Sequence, residues 1–256
     1  MCIRDRGEFA RIAAADGRAA LVSVIAGGPP GAKLLVQADG ETSGGLGDAA
    51  LDREAVAAAE ELMWAERSEL REVNGVSLFV DVTAPAPRLV IFGAVDYAAA
   101  LSRLARAAGW RAFVCDPRSQ FATRERFPDA EEVIAAWPDE AFARIGGIDR
   151  ATYIVVLTHD PKLDDAALAL ALRSEAPYVG AMGSRRAQAQ RRERLLAAGL
   201  DEDLLARVAA PVGLDLGALT PEETALSIMA EVVAVRHGRD GGRLSQAGGR
   251  IHEVGA

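Results

Sequence analysis

The sequence predicts an α/β protein in which a Rossmann-like domain built on a parallel sheet is preceded by a smaller α+β domain. Three observations predict it. Apolar runs at residues 89–92, 112–115, 132–134, 153–157 and 178–182 alternate with helical patterns at 98–108, 163–172 and 187–198, and that alternation builds βαβ units on a parallel sheet. Residues 19–26 and 32–37, by contrast, are apolar runs joined only by Gly27-Gly28-Pro29-Pro30-Gly31, the pattern of paired strands around a wide turn. Between the two regions lies Thr83-Ala84-Pro85-Ala86-Pro87, extended and poor in hydrogen-bond donors. The boundary is placed there. It gives domains over 1–84 and 85–237, followed by a glycine- and arginine-rich tail over 238–256 that is expected to be mobile or to dock.

In chain order, Met1-Cys2-Ile3-Arg4-Asp5-Arg6 joins no periodic pattern and reads as translated adapter sequence. Residues 1–6 are therefore taken as non-native, and residues 8–15 as the end of a helix cut short. Asp39-Gly40 marks a turn, Ser43-Gly44-Gly45-Leu46-Gly47 a glycine-rich loop, and 48–67 a helix with Leu51, Val56, Leu62 and Met63 facing inward. Residues 76–82 close the small unit as a strand. In the second domain Gly199 ends a helix, and Asp201 caps the next with Leu200 and Leu205 as an apolar staple. Thr220-Pro221-Glu222-Glu223 is a capping box with proline at the first helical position, and the helix it opens reaches about His237.

The 256 residues are 50% hydrophobic, enough for one large or two modest cores. A net charge of −8 disfavours nucleic acid or an acidic membrane as the main partner. No apolar run approaches the roughly 20 residues that span a bilayer, so stable membrane insertion is not expected. With no signal peptide and with Cys2 and Cys115 as the only cysteines, the expected compartment is a reducing cytoplasm. His159, His237 and His252 share no ligand spacing and there is no GxSxG elbow, so metal catalysis and a serine nucleophile are poorly supported.

Three segments carry the polar chemistry. Phe92-Gly93-Ala94-Val95-Asp96 occupies the place of a dinucleotide fingerprint, and Asp116 ends the next strand where a ribose-binding acid lies. The fingerprint is broken: Val95 replaces the glycine that lets a pyrophosphate approach, and Asp96 puts a negative charge at the helix start. Nicotinamide nucleotide binding is therefore disfavoured. The stretch Tyr178-Val179-Gly180-Ala181-Met182-Gly183-Ser184-Arg185-Arg186 runs from a strand through a glycine-bracketed turn into a helix opening with two arginines. Arginines there oppose the helix dipole unless an anion is bound. Gly180 and Gly183 would let a phosphate or carboxylate approach and Arg185 or Arg186 would grip it; the alternative is two solvated arginines. Thr158-His159-Asp160-Pro161-Lys162-Leu163-Asp164 stands at a strand's carboxyl end, where ligands bind in open α/β sheets. His159 and Lys162 are read as facing a ligand, Asp160 mainly as a helix cap, and Lys162 with Asp164 alternatively as a solvated first turn. Arg118 holds an anion or covers a helix, and Asp215 orients a ligand or closes a turn.

Residues 87–237 closely resemble the C-terminal Rossmann-like domain of the XdhC/CoxI family, the xanthine dehydrogenase accessory proteins. The resemblance rests on Phe92-Gly93-Ala94, Cys115-Asp116-Pro117-Arg118, Phe121-Ala122-Thr123-Arg124-Glu125-Arg126-Phe127-Pro128, Leu157-Thr158-His159-Asp160-Pro161-Lys162, Gly180-Ala181-Met182-Gly183-Ser184-Arg185-Arg186, Gly213-Leu214-Asp215-Leu216-Gly217 and Thr220-Pro221-Glu222-Glu223. Residues 24–50 are more faintly similar to the family's first domain. The resemblance implies a maturation factor whose function is binding rather than turnover. Its cargo is the molybdenum cofactor, as molybdopterin or its cytidine dinucleotide form, protected during sulfuration. The recipient is a molybdenum hydroxylase apoenzyme of the xanthine dehydrogenase or carbon monoxide dehydrogenase type, with a cysteine desulfurase as sulfur source and a homodimer as a further state. The cofactor-binding residues expected are Gly93, Asp116, Arg118, Thr158, His159, Lys162, Gly180, Met182, Gly183, Ser184, Arg185, Arg186 and Asp215, in the crevice between the small unit and the carboxyl edge of the parallel sheet. Two departures stand out. Many members have Gly-x-Gly-His where this chain has Gly93-Ala94-Val95-Asp96, and many have a cysteine where Leu46 follows Ser43-Gly44-Gly45. The rival readings are an NAD(P)-dependent oxidoreductase and an assembly scaffold that binds no cofactor.

Overall fold

The structure, a computed structural model, describes residues 2–248; His252 and the end of the expected tail lie outside the described residues. The chain divides into two units, Met1–Pro85 and Ala86–Ala256.

The first unit contains α1 (Cys2–Ala14), β1 (Ala19–Ala26), β2 (Lys33–Gln37), β3 (Thr42–Gly45), α2 (Ala49–Trp64), β4 (Glu69–Val73) and β5 (Val76–Thr83). Its antiparallel sheet has the order β3-β2-β1-β5-β4. Successive strand residues point to opposite faces, so Ala20, Val22 and Val24 of β1 join Leu78 and Val80 of β5 beneath α2. The helix meets them with Leu51, Ala55, Ala59, Leu62 and Met63, one stripe at helical spacing, and Val56 lies at its margin. Ala19, Leu21 and Leu35 turn the other way, against Phe9 and Ile12 of α1.

The helix expected to end over residues 8–15 is α1, which begins at Cys2 and runs to Ala14. Two expectations are corrected here. Ser43-Gly44-Gly45 is the edge strand β3, because the Asp39-Gly40 turn folds it back onto β2 with Ser43 opposite Leu35. Gly44 has a φ of +90°, and a Cβ there would stand 2.3 Å from the Lys33 carbonyl oxygen. The charged strand β4 was not expected; Asn74-Gly75, at φ of 51° and 78°, turns it tightly into β5.

The second unit contains β6 (Arg88–Phe92), α3 (Asp96–Ala107), β7 (Arg111–Cys115), β8 (Glu132–Ile134), α4 (Pro138–Arg144), β9 (Thr152–Val156), α5 (Pro161–Leu172), β10 (Tyr178–Ala181), α6 (Arg185–Ala197), α7 (Glu202–Ala206), β11 (Val208–Ala209) and α8 (Pro221–Arg236). Its sheet is parallel throughout, in the order β11-β10-β9-β6-β7-β8. Leu89 and Ile91 pack with Leu101, Ile228 and Val232 on one face, while Val90 and Phe92 pack with Phe142, Leu163 and Leu195 on the other. Burying each such side chain contributes about 1.5–3 kcal/mol, which holds a layer of helices on both faces. The mixed α/β fold with a parallel sheet, preceded by a smaller unit, is the class the sequence predicts.

Local signals punctuate three helices as expected: Asp160 and Asp201 each accept from a backbone N–H in the first turn of α5 and α7, and Thr220 with Glu223 forms the capping box of α8. Ser184, not read as a cap, does the same for α6. α4 and β11 were not expected. Cys115 is fully buried at the end of β7, and burial pushes its thiol well above the ordinary cysteine value. Within the described part of the tail, Leu244–Gln246 forms a 3-10 turn. β6 lies between β7 and β9, so the order of connection reverses at β6, and a crevice opens there at the strands' carboxyl ends.

Candidate functional site at the carboxyl edge of the parallel sheet

Val95, Tyr97, Arg118, Leu157, Thr158, His159, Asp160 and Met182 line a pocket of about 400 Å³. These residues follow β6, β7, β9 and β10, so the pocket sits at the switch point and belongs wholly to the second unit. Valine, leucine, tyrosine and methionine give it apolar surface; a guanidinium, an imidazole and a carboxylate give it polar groups. Tyr97, on the first turn of α3, was not singled out from the sequence.

Asp116 ties one side together. It is fully buried, and its Oδ2 accepts from Ala94 N at 2.9 Å and from Arg118 Nη2 at 2.7 Å. Its Oδ1 accepts from Arg118 N at 3.0 Å and Arg118 Nε at 2.9 Å. Burial pushes this carboxyl up, but the Arg118 side chain and the two N–H donors outweigh it and hold the group below the usual carboxylate range. Asp116 was expected to touch the ligand; instead all of this bonding is internal, and Asp116 positions Arg118, which lines the pocket. The Arg118 guanidinium also stacks 5.0 Å over the Phe121 ring. Arg126 braces the same turn, donating to Ala94 O at 3.0 Å and Phe121 O at 3.1 Å, and pairs with the exposed Asp96 at 3.4 Å.

A second buried network ties the other side. The Thr158 hydroxyl donates to Asp164 Oδ1 at 2.5 Å, and Asp164 Oδ2 accepts from Arg191 Nη2 at 2.8 Å. The same Nη2 donates to Met182 O at 3.1 Å, and Arg191 also bonds Gln188 Oε1. Gln188 in turn donates to Ala181 O at 3.1 Å and Gly183 O at 3.3 Å. Burial pushes the Asp164 carboxyl up, and the Thr158 and Arg191 bonds do not reverse it. The solvated-turn reading of Asp164 is thereby overturned. Arg191 and Gln188 were missed altogether, since α6 is too uniformly charged for one buried arginine to show in its pattern.

The remaining expected residues separate into three groups. Arg118, Thr158, His159 and Met182 come together at the pocket. Gly93, at a φ of +112°, lies so close to Thr158 that a Cβ would stand 2.7 Å from its methyl group, so strand packing accounts for this glycine. Gly180 is likewise filled: a Cβ there would meet Val212 at 2.6 Å and the Tyr178 hydroxyl at 2.8 Å, which leaves no approach for a ligand on that side. Ser184 caps α6 by accepting from Ala187 N at 3.2 Å, and Gly183, at a φ of +137°, shapes the turn before it. Lys162, Arg185, Arg186 and Asp215 are exposed and do not line the pocket. Lys162 contributes its N–H to Asp160 Oδ1 at 3.0 Å, which bears out Asp160 as the helix cap. Among the described residues, no group of three or more His, Cys, Asp or Glu side chains could hold a metal ion, and no helix is long and apolar enough to cross a membrane.

Comparison with known proteins gives the family. Residues 89–232 match the XdhC Rossmann domain, and residues 12–74 match the XdhC and CoxI family. A Bacillus subtilis (strain 168) protein named as a probable xanthine dehydrogenase subunit is 31% identical over 160 residues, 62% of this chain and 46% of that protein. The Escherichia coli (strain K12) molybdenum cofactor insertion chaperone PaoD is 30% identical over 152 residues, 59% of this chain and 41% of that protein. The matched regions thus span less than half the length of these curated relatives. The crystal structure of a xanthine dehydrogenase from Bacillus halodurans superposes with a TM-score of 0.53 at 20% identity, covering 95% of this chain and 98% of that one, a likeness of fold. With the Rossmann match extending over more than half of its length and the first-domain match preceding it, the chain belongs to the XdhC and CoxI family.

Proposed function

We propose that this chain binds the molybdenum cofactor as cargo and passes it to a molybdenum hydroxylase apoenzyme during maturation. The observation that carries the reading is the switch-point pocket, where a guanidinium held in one orientation by a buried carboxylate meets an imidazole across an apolar lining. A pterin ring is flat and edged with hydrogen-bonding groups, which suits a site of that composition. Arg118 and His159 donate to its polar edge, while Val95, Tyr97, Leu157 and Met182 cover its faces. Asp116, Thr158 and Gly93 keep these groups in place. The cofactor's phosphate goes to the turn shaped by Gly183 and Ser184, where Arg185 and Arg186 are exposed and Lys162 adds positive charge from α5. Gly180 and Asp215 have no cargo contact in this reading.

The role is binding rather than turnover, because the buried carboxylates are committed to internal partners. The names borne by the relatives support a molybdoenzyme client, with xanthine dehydrogenase named in one of them. A client of the carbon monoxide dehydrogenase type is the other candidate, and a cysteine desulfurase would supply sulfur to the held cofactor in the cytoplasm. Purification from a molybdenum-replete host tests the reading. Near-stoichiometric molybdenum with an oxidisable, fluorescent pterin is the expected result, and protein that carries neither would sink it.

A further inference from the structure

We propose that Asp160 and Arg118 together read the edge of a 2-amino-4-oxopyrimidine ring, Asp160 accepting from its amino and ring N–H groups and Arg118 donating to its carbonyl oxygen. The inference rests on the cargo reading above and deepens it: a pterin contains such a ring, and Asp160 gains a second task beyond capping α5.

Each residue is fixed on one side and open on the other. The Nε and Nη2 edge of Arg118 is engaged by Asp116, at 2.9 and 2.7 Å, and Phe121 covers one face of the guanidinium at 5.0 Å. Nη1 has no hydrogen-bond partner among the described residues, and Arg118 lines the switch-point pocket. That leaves a donor with a set direction. Asp160 is held in the same manner. Its N–H donates to Thr158 Oγ1 at 3.0 Å, and its Oδ1 accepts from Lys162 N at 3.0 Å as the cap of α5. Oδ2 has no hydrogen-bond partner among the described residues, and Asp160 lines the same pocket.

The two open groups do not satisfy one another. Arg118 is held above its ordinary pKa first by its bond to Asp116, and the charge of Asp160 adds to this, yet no ion pair joins Arg118 to Asp160 among the described residues. A donor and an acceptor thus line one pocket, within reach of each other's charge but out of contact. A flat ring that sets an acceptor beside donors along one edge bridges them. In a pterin the order is carbonyl oxygen, ring N–H, amino group, which matches Arg118 followed by Asp160. In the 2-oxo analogue, a lumazine, a second carbonyl replaces the amino group and sets an acceptor against the carboxylate. The apolar lining is blind to this difference, because the two rings have the same faces, and Arg118 donates to the 4-carbonyl of both. The choice between them falls to Asp160.

The test is a fluorescence titration of the full chain with 6-hydroxymethylpterin phosphate and with the corresponding lumazine phosphate. Wild-type protein is expected to bind the pterin at least about tenfold more tightly. Asp160→Asn retains a cap oxygen and puts an amide NH2 where Oδ2 stood, so it is expected to reverse the preference. Asp160→Ser also retains the cap but withdraws the acceptor from the pocket. It is expected to weaken pterin binding about tenfold without weakening lumazine binding. Melting curves near wild type establish that the caps hold; if either variant does not fold, the other carries the test. Equal wild-type affinities, no binding of either ring, or a pterin preference unchanged in the variants would overturn the proposal and leave the cargo reading to the molybdenum analysis. A preference that Asp160 controls, in protein purified without molybdenum or pterin, would sink the cargo reading and keep the ring-edge assignment.

Discussion

Asp116 and Asp164 are buried aspartates on opposite sides of β6, each bonded to one arginine, yet their surroundings drive them in opposite directions. Asp116 accepts two backbone N–H groups and a two-pronged guanidinium, and it stays below the usual carboxylate range despite burial. Asp164 accepts one hydroxyl and one guanidinium nitrogen, and burial keeps it raised. The difference lies in donor number. A buried carboxylate needs most of its lone pairs met before the ionised form is favoured, and one arginine at a single nitrogen does not suffice. The consequence for the pocket is that Arg118 is held by a carboxylate whose charged form its donors favour, whereas Arg191 is held by one whose charged form burial opposes.

Removing an arginine from the weaker pair should have the largest effect. Arg191→Met is expected to destabilise the second unit by about 3–5 kcal/mol, because it leaves Asp164 Oδ2, the Met182 carbonyl and Gln188 Oε1 short of a donor. Adding Asp164→Leu should restore much of the loss in urea denaturation. A double variant no more stable than the single would mean that the network, not the charge, is what the fold requires.

The comparison sharpens further against arginines that have no internal task. Arg185→Ala with Arg186→Ala should leave the melting temperature near wild type and weaken binding of the phosphorylated pterin about 10- to 100-fold, read by isothermal titration. Unchanged affinity would return both to the solvated-surface reading. A smaller effect is expected from His159→Gln with Lys162→Met. Each exposed donor is worth about 0.5 kcal/mol, so client activation in a reconstitution assay should slow by about fivefold for the pair while the fold persists. Loss of the fold instead would make this pair structural.

The smallest effect separates the two aspartates by sign. Asp116, depressed when folded, contributes stability that is present above its unfolded value of about 3.9 and lost as pH falls through its folded value. Asp164, raised when folded, contributes stability that is present below about 3.9 and lost as pH rises through its folded value. Melting temperatures followed through the acid range should therefore show a shallower acid limb in Asp116→Asn and a shallower loss with rising pH in Asp164→Asn. Slopes of the same sign for both would break the contrast.

Much of the fold was legible because its signals are local. The apolar runs around Val90, Val114, Ile154 and Val179 became strands, and Thr220-Pro221-Glu222-Glu223 opened a helix. Elements without a local signature escaped. β11 is only two residues long, and β4 alternates charges with Leu70 and Val73 at an exposed edge, where no burial pattern is imposed. The Asn74-Gly75 turn signal was present and passed over. The site divides in the same way. Arg118, His159 and Met182 follow strand ends and could be named from position alone. That Asp116 works through Arg118, and that Asp164 meets Arg191 from 27 residues away, are tertiary facts which neither spacing nor composition encodes.

Cys115 gives the parallel unit a chemical reporter of its own opening. Its sulfur is sealed at the end of β7 and its thiolate is suppressed, so an alkylating reagent can reach it only in molecules whose central sheet has come apart. In a Cys2→Ser background the alkylation rate becomes a clock for that rare event, read without denaturant. Cargo that binds only the closed form should slow the clock in proportion to its occupancy, which makes a single sealed atom a meter for binding.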